Sequence, residues 1–229
     1  MRRKPEFLAA DPVRKKRKIW QQIKVTAFSK KMEALQTLQS EICCDTFHQE
    51  DMRNGTPYRK HPKRAWRAFV FYTLIIFRIP YDDEAGAAVL LHDVLEEIGI
   101  AALVAISGIY GFLVPVYVKL LTRFEGESNA AYFRRVMQTD VSIMIKLCDM
   151  IDGFLNMIDE FYAGLDSSST DRVKKYLRKK ARPFVKMIRS RNLSGLKYRD
   201  PIMEALADFE LICREAEDLL KANNRKSAL

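Results

Sequence analysis

The sequence predicts an all-α protein built as a helical bundle. Gly and Pro are sparse, at 9 and 8 of 229 residues, while the strong helix formers Leu, Ala, Met, Lys, Arg and Glu are abundant. Apolar residues recur at intervals of three and four, which is the spacing of one helix face. No segment alternates for long enough to predict a sheet. Hydrophobic residues make up 48% of the chain, enough for a core without disulfides.

Turn and capping signals separate the predicted helices. Asn54-Gly55-Thr56-Pro57 is a strong turn signal. Pro62 follows at a place where proline can open a helix, because its missing N–H costs nothing in the first turn. Tyr81-Asp82-Asp83-Glu84 places three acidic residues before the next apolar run, where they suit the positive end of a helix dipole. The predicted helices cover residues 12–46 (as one or two), 62–80, 87–97, 129–163, 171–190 and 199–222, with a loop at 165–170.

We expect one domain in four parts: a basic N-terminal arm (1–31), a core (32–165), C-terminal helices that complete the domain (166–222) and a frayed tail (223–229). The arm carries eleven Lys and Arg residues against two acids, or +9, while the whole chain is +10. The arm is either solvated or docked on a partner, or it binds a polyanion such as nucleic acid or an anionic membrane surface.

The cysteines and the N-terminus predict a cytoplasmic protein. Cys43, Cys44, Cys148 and Cys213 form no CxxC pair, so neither a zinc finger nor a disulfide framework is indicated. The basic start leads into no apolar segment of the kind that a secretory signal requires. Reduced thiols are therefore the simpler interpretation.

Residues 98–118 are the one stretch that challenges a non-membrane assignment. These twenty-one residues carry no formal charge, and that length is enough to span a bilayer. Three glycines and Pro115 interrupt the stretch, and proline breaks or kinks a continuous helix. Two shorter buried helices joined near Ser107-Gly108 explain it equally well, and we expect no membrane span.

The residues with catalytic chemistry lie in or beside apolar runs. His92-Asp93 follows five apolar residues, and Asp149 also lies in a mostly apolar segment. A buried carboxylate needs a partner, and a divalent cation bound by imidazole nitrogen and carboxylate oxygen supplies one. Glu96 and Glu97 come four residues after His92 and Asp93, on the same side of a helix. A metal-bound water and a free carboxylate are what hydrolysis needs, although each pattern alone also arises by chance or on a solvated face.

Four segments together resemble the hydrolase domain of RelA/SpoT proteins and small alarmone hydrolases, which are metal-dependent phosphohydrolases of the HD type. Residues 53–62 (RNGTPYRKHP) resemble the family's opening RKxGxPYxxHP, and residues 87–97 (AAVLLHDVLEE) resemble its AAxLHDxxED. Residues 110–114 with 121–122 resemble an FG…V…T stretch, and residues 146–149 (KLCD) resemble KLAD. The resemblance runs from about residue 45 to 156 and implies an HD-domain helical bundle.

The resemblance also implies a ligand set and a reaction. The implied metal, typically manganese, is held by His61, His92, Asp93 and Asp149. Glu96 and Glu97 would activate water or protonate the leaving group, and Arg53 would contact a guanine nucleotide. The implied reaction removes the 3′-pyrophosphate from ppGpp or pppGpp, giving GDP or GTP and pyrophosphate. Residues 98–118 would be a helix–turn–helix of the core.

The chain departs from the family at positions that contact substrate. Met52 replaces the first residue of a basic pair, Gly153 replaces an asparagine, and the acidic pair is Glu-Glu instead of Glu-Asp. All the implied metal ligands are present, so we expect hydrolysis with a shifted or relaxed substrate. The alternatives are an HD hydrolase of another phosphorylated nucleotide, or a nucleotide-sensing or nucleic-acid-docking protein with a basic arm.

The remaining distinctive residues are expected to be structural. Trp20 and Trp66 are interpreted as packing residues. Asp152 follows Asp149 by three residues and is expected to be exposed, with a supporting role at the metal as the alternative. His48 lies near a histidine often seen in relatives and is assigned no role.

Overall fold

The computed structural model describes residues 9–23, 52–53, 56–57, 60–97, 99–163 and 169–226. These residues form an all-α fold, which confirms the predicted fold class. The strands among them are two antiparallel segments of two residues each, which pair Met52 with Pro57 and Arg53 with Thr56. The predictions for residues 24–46 and for His48 lie outside the described residues.

The bounds of the elements follow the predicted pattern with some interruptions. The strands are β1 (Met52–Arg53) and β2 (Thr56–Pro57), and the helices are α1 (Asp11–Trp20), α2 (Lys60–Val70), α3 (Asp83–Leu90), α4 (Val94–Glu97), α5 (Ala102–Tyr110), α6 (Leu113–Leu121), α7 (Asn129–Val136), α8 (Asp140–Ala163), α9 (Ser169–Tyr176), α10 (Arg182–Ser190) and α11 (Arg199–Lys226). A π-helical segment (Phe71–Ile76) extends α2, and another (Leu177–Ala181) joins α9 to α10. α11 thus continues past the predicted end at residue 222.

The central element of the bundle is α8. Fourteen of its 24 residues are buried, and a helix that is apolar around most of its circumference has to lie inside the protein. α2 and α11 pack along α8, α3 packs on α2, and α6 packs on α3. Trp20 and Trp66 are fully buried, as expected of packing residues. This arrangement brings the first turn of α2 and the end of α3 to the middle of α8.

The described part of the basic N-terminal segment forms helix α1, which is docked on the bundle. α1 packs against α2 and α11 and buries Val13 and Trp20 completely. The two terminal nitrogens of Arg14 donate to the Glu215 carboxylate at 2.9 and 2.7 Å. Glu215 is 2% exposed and also accepts the Ala10 N–H at 2.8 Å. Residues 11–20 therefore belong to the bundle and not to a solvated arm.

Two further cations of α1 neutralise carboxylates of the bundle. The Lys16 ammonium donates to Asp208 at 2.7 Å and to Glu204 at 2.6 Å, and the hydroxyl of Tyr72 donates to Asp208 at 2.6 Å. Arg17 donates to the fully buried Asp152 at 3.2 Å. Buried carboxylates are costly without such partners, so the basic character of α1 is a requirement of the fold.

Two of the predicted helices are interrupted. The helix predicted over 87–97 is broken by a turn at residues 91–93, which separates α3 from α4. The helix predicted over 129–163 is broken at residues 137–139, where the Thr139 hydroxyl accepts the N–H of Ser142 at 3.0 Å and caps α8. His92 and Asp93 therefore lie in a turn, and the four-residue spacing to Glu96 and Glu97 does not run along one helix.

The uncharged stretch forms two helices, as expected, but they meet at Gly111 and not near Ser107-Gly108. Gly111 has a φ of 76°, a left-handed conformation that favours glycine. α5 is not buried: Ile106 is its one buried residue, and Val104 is 79% exposed. Among the described residues, no helix combines the length and the apolar character needed to cross a membrane.

Asp82 fixes the start of α3. Its side chain accepts the Ala85 N–H at 3.0 Å and the Lys197 ammonium at 2.8 Å. Burial by itself would raise the pKa of Asp82, but the hydrogen bonds from Lys197 and from the Ala85 N–H outweigh burial and hold it below its usual value. An ionised N-cap residue therefore anchors α3, the helix that leads into the turn with His92 and Asp93.

Arg14→Met should lower the free energy of unfolding by about 3–5 kcal/mol, because the buried Glu215 carboxylate loses its partner. Urea denaturation followed by circular dichroism measures the loss. Lys15→Met is the matched control, since Lys15 is exposed on the same helix, and should cost less than about 0.5 kcal/mol. Equal losses in the two variants would refute the pairing.

Asp82→Asn keeps the capping oxygen and removes the charge, so it should cost about 1 kcal/mol at neutral pH. The folded pKa of Asp82 lies below the ordinary 3.8. The stabilisation that its charge provides is therefore complete above the ordinary value of 3.8, and it is lost as the pH falls through the folded pKa. Urea denaturation from about pH 3 to 7 should show wild type and variant converging at the acid end. A difference that does not change with pH would rule this out.

Candidate metal centre

Three elements bring the predicted ligands together. His61 lies in the first turn of α2, His92 and Asp93 lie in the turn between α3 and α4, and Asp149 lies in the middle of α8. Since α2 packs on α8 and α3 packs on α2, side chains far apart in sequence converge at one point. The rings of His61 and His92 meet edge to face, with centroids 5.5 Å apart.

His92 is oriented as a metal ligand would be. Its Nδ1 is 2.7 Å from the carbonyl oxygen of Val89, a contact that requires a proton on Nδ1 and makes Nε2 the nitrogen that could bind a metal. Nε2 is buried and makes no hydrogen bond. The Oδ2 of Asp93 and the Oδ1 of Asp149 lie 3.2 and 3.7 Å from it, without hydrogen-bonding geometry. A buried nitrogen facing two carboxylates is a natural position for a cation.

His61 differs from His92 in that carboxylates contact both of its ring nitrogens. Its Nδ1 is 2.9 Å from the Oδ2 of Asp152, and its Nε2 is 2.9 Å from the Oδ1 of Asp149. The atoms that His61, His92 and Asp149 offer to a metal all lie within 4.8 Å of one another. Ligand atoms about 2.0–2.3 Å from one ion are separated by distances of this order. These residues can therefore hold a metal, with Asp93 adjoining the group through His92.

Asp152 supports the group by contacting the Nδ1 of His61. The prediction that Asp152 is exposed is wrong, because its side chain is fully buried. Besides His61, the Nε of Arg64 donates to both of its oxygens at 2.9 Å, and Arg17 donates at 3.2 Å. Its position one helical turn after Asp149 is the sequence feature that indicates this supporting role. A carboxylate that holds the second nitrogen of a histidine fixes the ring and its tautomer.

The charges of the cluster stabilise one another. Burial lowers the pKa of His61, but its hydrogen bonds to Asp149 and Asp152 outweigh this and raise it to about 9. Burial opposes ionisation of Asp149 as well, and Lys146 and the two histidines hold its pKa well below the usual range. Lys146 forms an ion pair with Asp149 from one turn earlier in α8. The cluster is thus organised around carboxylates that stay charged, the state in which a carboxylate can bind a metal ion.

Three of the predicted ligands, His61, Asp93 and Asp149, line a cleft of about 200 Å³. Glu96 lines the cleft, and its Oε1 accepts the backbone N–H of Arg123 at 2.7 Å. Burial raises the pKa of Glu96, and the nearby charge of Asp93 raises it further against the lowering effect of that N–H. The side chains of Arg53 and Glu97 lie outside the described residues, so their predicted roles stay predictions.

The remaining lining residues include features that the sequence did not suggest. Gly153 lines the cleft, and a Cβ at this position would meet no atom within 4 Å. The lining also includes aromatic residues and two lysines, Lys146 and Lys180. Neither Asn129 nor Lys180 stands out in sequence, because both come from helices outside the recognised motifs.

No protein-family model matches the chain, and no curated protein matches it.

Asp152→Asn should weaken the binding of Mn²⁺ by about 10–100-fold, because His61 loses the carboxylate that orients it. Titration calorimetry measures the affinity, and circular dichroism confirms that the variant is folded. Asp171→Asn removes the same charge from an exposed position and should bind Mn²⁺ like the wild type. An unchanged affinity in the folded Asp152 variant would contradict the supporting role.

Proposed function

We propose that this protein is a divalent-metal-dependent phosphohydrolase of the HD type that acts on a phosphorylated nucleotide. The observation that carries the proposal is the convergence of the Nε2 atoms of two histidines with the carboxylates of Asp93 and Asp149 beside a cleft. Each histidine has its Nδ1 held by another group, which is how ligating histidines are positioned. The donor set of nitrogen and carboxylate oxygen suits manganese and related divalent ions.

The chain supplies a proton carrier next to the ligands. A bound divalent ion would lower the pKa of a coordinated water and polarise a phosphoryl oxygen. Glu96 belongs to the cleft and is held by the Arg123 N–H, and its raised pKa suits a group that takes and returns protons. In hydrolysis of a 3′-pyrophosphate, the water oxygen bonds to phosphorus, the bond from phosphorus to O3′ breaks, and O3′ gains a proton. Glu96 is the carboxylate in position for these proton transfers.

The motif resemblance makes ppGpp the first substrate to test, with GDP and pyrophosphate as products. Residues 53–62, 87–97 and 146–149 resemble motifs of the alarmone hydrolases in order and spacing. His61, His92 and Asp149, three of the ligands that the resemblance implies, form a group that could hold a metal, which supports the proposal. Arg53 would contribute a contact to the guanine nucleotide, and Glu97 would assist Glu96.

A second candidate is the hydrolysis of a different phosphorylated nucleotide. Gly153 stands where the family has an asparagine and leaves open space in the cleft wall. Asn156 does not replace that asparagine, because its amide oxygen accepts from Arg17 and its amide nitrogen donates to Asp152 at 3.2 Å. A wider cleft without this amide favours a substrate with a different base or sugar substituent.

A role of the basic segment in binding nucleic acid or membranes receives less support. Arg14, Lys16 and Arg17, three of the eleven cations in residues 1–31, are paired with carboxylates of the bundle. The exposed Lys15 and Lys18 remain available for a polyanion. The assignment to the cytoplasm stays a prediction from sequence.

Activity with a panel of ppGpp, GTP, ATP and NADPH tests the function. With Mn²⁺, the wild type should release pyrophosphate from ppGpp. Glu96→Gln should keep the metal and lose about 10²–10⁴-fold in kcat, because it cannot transfer the proton. Asp93→Ala should lose metal and turnover together.

Asp83→Ala, which removes an exposed acid at the start of α3, is the control and should keep both metal and turnover. Hydrolysis of a panel member other than ppGpp selects the second candidate. A wild-type protein that binds no metal and hydrolyses nothing in the panel refutes the enzymatic proposal.

A further inference from the structure

The segment between α6 and α7 contacts Glu96 through its backbone. Residues 122–128 join the two helices, and the N–H of Arg123 donates to the Oε1 of Glu96 at 2.7 Å. A glutamate side chain can adopt several rotamers, so a fixed donor is needed to hold its carboxylate in one place. The position of Glu96 in the cleft therefore depends on how firmly the 122–128 segment is held.

The residues on either side of Arg123 are both held by hydrogen bonds. Thr122 precedes it, and the Thr122 hydroxyl donates to the carbonyl oxygen of Val118 at 2.8 Å. Phe124 follows it, and the Phe124 N–H donates to the Oε2 of Glu127 at 3.2 Å. The N–H of Glu127 donates in turn to the carbonyl oxygen of Phe124 at 3.1 Å. Glu127 therefore closes the segment into a turn and fixes the backbone next to Arg123.

Arg135 connects this turn to both flanking helices. Its guanidinium, which comes from α7, forms an ion pair with the Oε2 of Glu127 and donates to the carbonyl oxygen of Lys119 in α6. It also lies over the Phe124 ring, 4.6 Å from the centroid. The side chains of Arg135 and Glu127 are only 17% and 16% exposed, and water and salt weaken a partly buried pair less than an exposed one. One side chain thus joins α6, the turn and α7.

These contacts form a continuous path from α7 to the proposed proton carrier. Arg135 holds Glu127, Glu127 holds the backbone next to Arg123, and the Arg123 N–H holds Glu96. Neither Glu127 nor Arg135 lines the cleft, and the hydrolytic steps assigned above use neither of them. Any effect of these two residues on the reaction therefore has to pass through the 122–128 segment.

We infer that Glu127 and Arg135 are positioning residues for Glu96. By holding the 122–128 segment, they keep the Arg123 N–H directed at the Glu96 carboxylate and keep that carboxylate in the cleft. The inference rests on the proposed function for the role of Glu96. It adds two residues that lie outside the segments resembling known motifs.

Steady-state hydrolysis by Arg135→Met, loaded with Mn²⁺, tests the inference on the nucleotide that the wild type hydrolyses. The variant should lose about 10–100-fold in kcat with little change in KM, because a displaced Glu96 carboxylate transfers protons poorly. Arg134→Met is the matched control, since Arg134 is exposed on the same helix, and should keep the wild-type kcat. Both variants should match the wild type in circular dichroism and in Mn²⁺ affinity.

A second pair of variants separates positioning from simple destabilisation. In Glu96→Gln, proton transfer by this side chain is already lost, so adding Arg135→Met should lower kcat little further. Glu127→Ala removes the partner of Arg135 and should lower kcat by a factor similar to that of Arg135→Met. The inference is refuted if Arg135→Met costs the same factor with Glu96 and with Gln at position 96, or if Glu127→Ala or Arg135→Met keeps the wild-type kcat.

Hydrogen exchange of the Arg123 amide, measured by NMR on the metal-free protein, distinguishes this inference from the proposed function. Arg135→Met should speed the exchange by about tenfold, the effect of losing one hydrogen bond, and Arg134→Met should leave it unchanged. If the wild type hydrolyses nothing but the exchange depends on Arg135, these contacts hold Glu96 in place and only its role in hydrolysis fails. Equal exchange in the two variants refutes the inference, whatever the activity.

Discussion

The buried carboxylate of Asp152 is the point on which both the bundle and the candidate site depend. It lies on the central helix α8 and receives Arg17 from α1 and His61 and Arg64 from α2. An ionised group without solvent is tolerated only when several donors surround it. Docking α1 and α2 onto α8 therefore satisfies this charge, and the same contacts set the orientation of His61. Folding and site assembly share one set of interactions.

These contacts give the cations of α1 a structural role. A net charge of +9 in residues 1–31 suggests an arm that seeks polyanions, yet Arg14 and Lys16 face the buried acids Glu215 and Asp208. The acids of α8 and α11 and the cations of α1 balance across the interface. A surplus of charge in one segment of a sequence is thus weak evidence for an external partner, because the complementary charges can lie far along the same chain.

The candidate cleft brings acidic and basic side chains together. The carboxylates of Asp93 and Asp149 face the two imidazoles, and Arg123, Lys146 and Lys180 line the same cleft. Carboxylates that suit a cation beside basic side chains that suit a phosphate are what a metal-dependent reaction on a phosphorylated substrate requires. Glu96 belongs to the same cleft, which is consistent with its proposed role in proton transfer.

The sequence by itself determined the all-α class, and it predicted His61, His92 and Asp149, which the structure brings together in a group that could hold a metal. Helix periodicity is a local property, and an acid or a histidine within an apolar run, as at His92 and Asp149, already indicates an unusual partner. His61 lies in no apolar run and was predicted from the motif resemblance. Only the tertiary structure decided that α1 is docked, that the helix breaks at His92-Asp93, that Asp152 is buried and that Lys180 faces the cleft. The physical reason is that each of these depends on which charges and side chains meet across helices, and pairing between distant residues leaves no periodic signal in the chain.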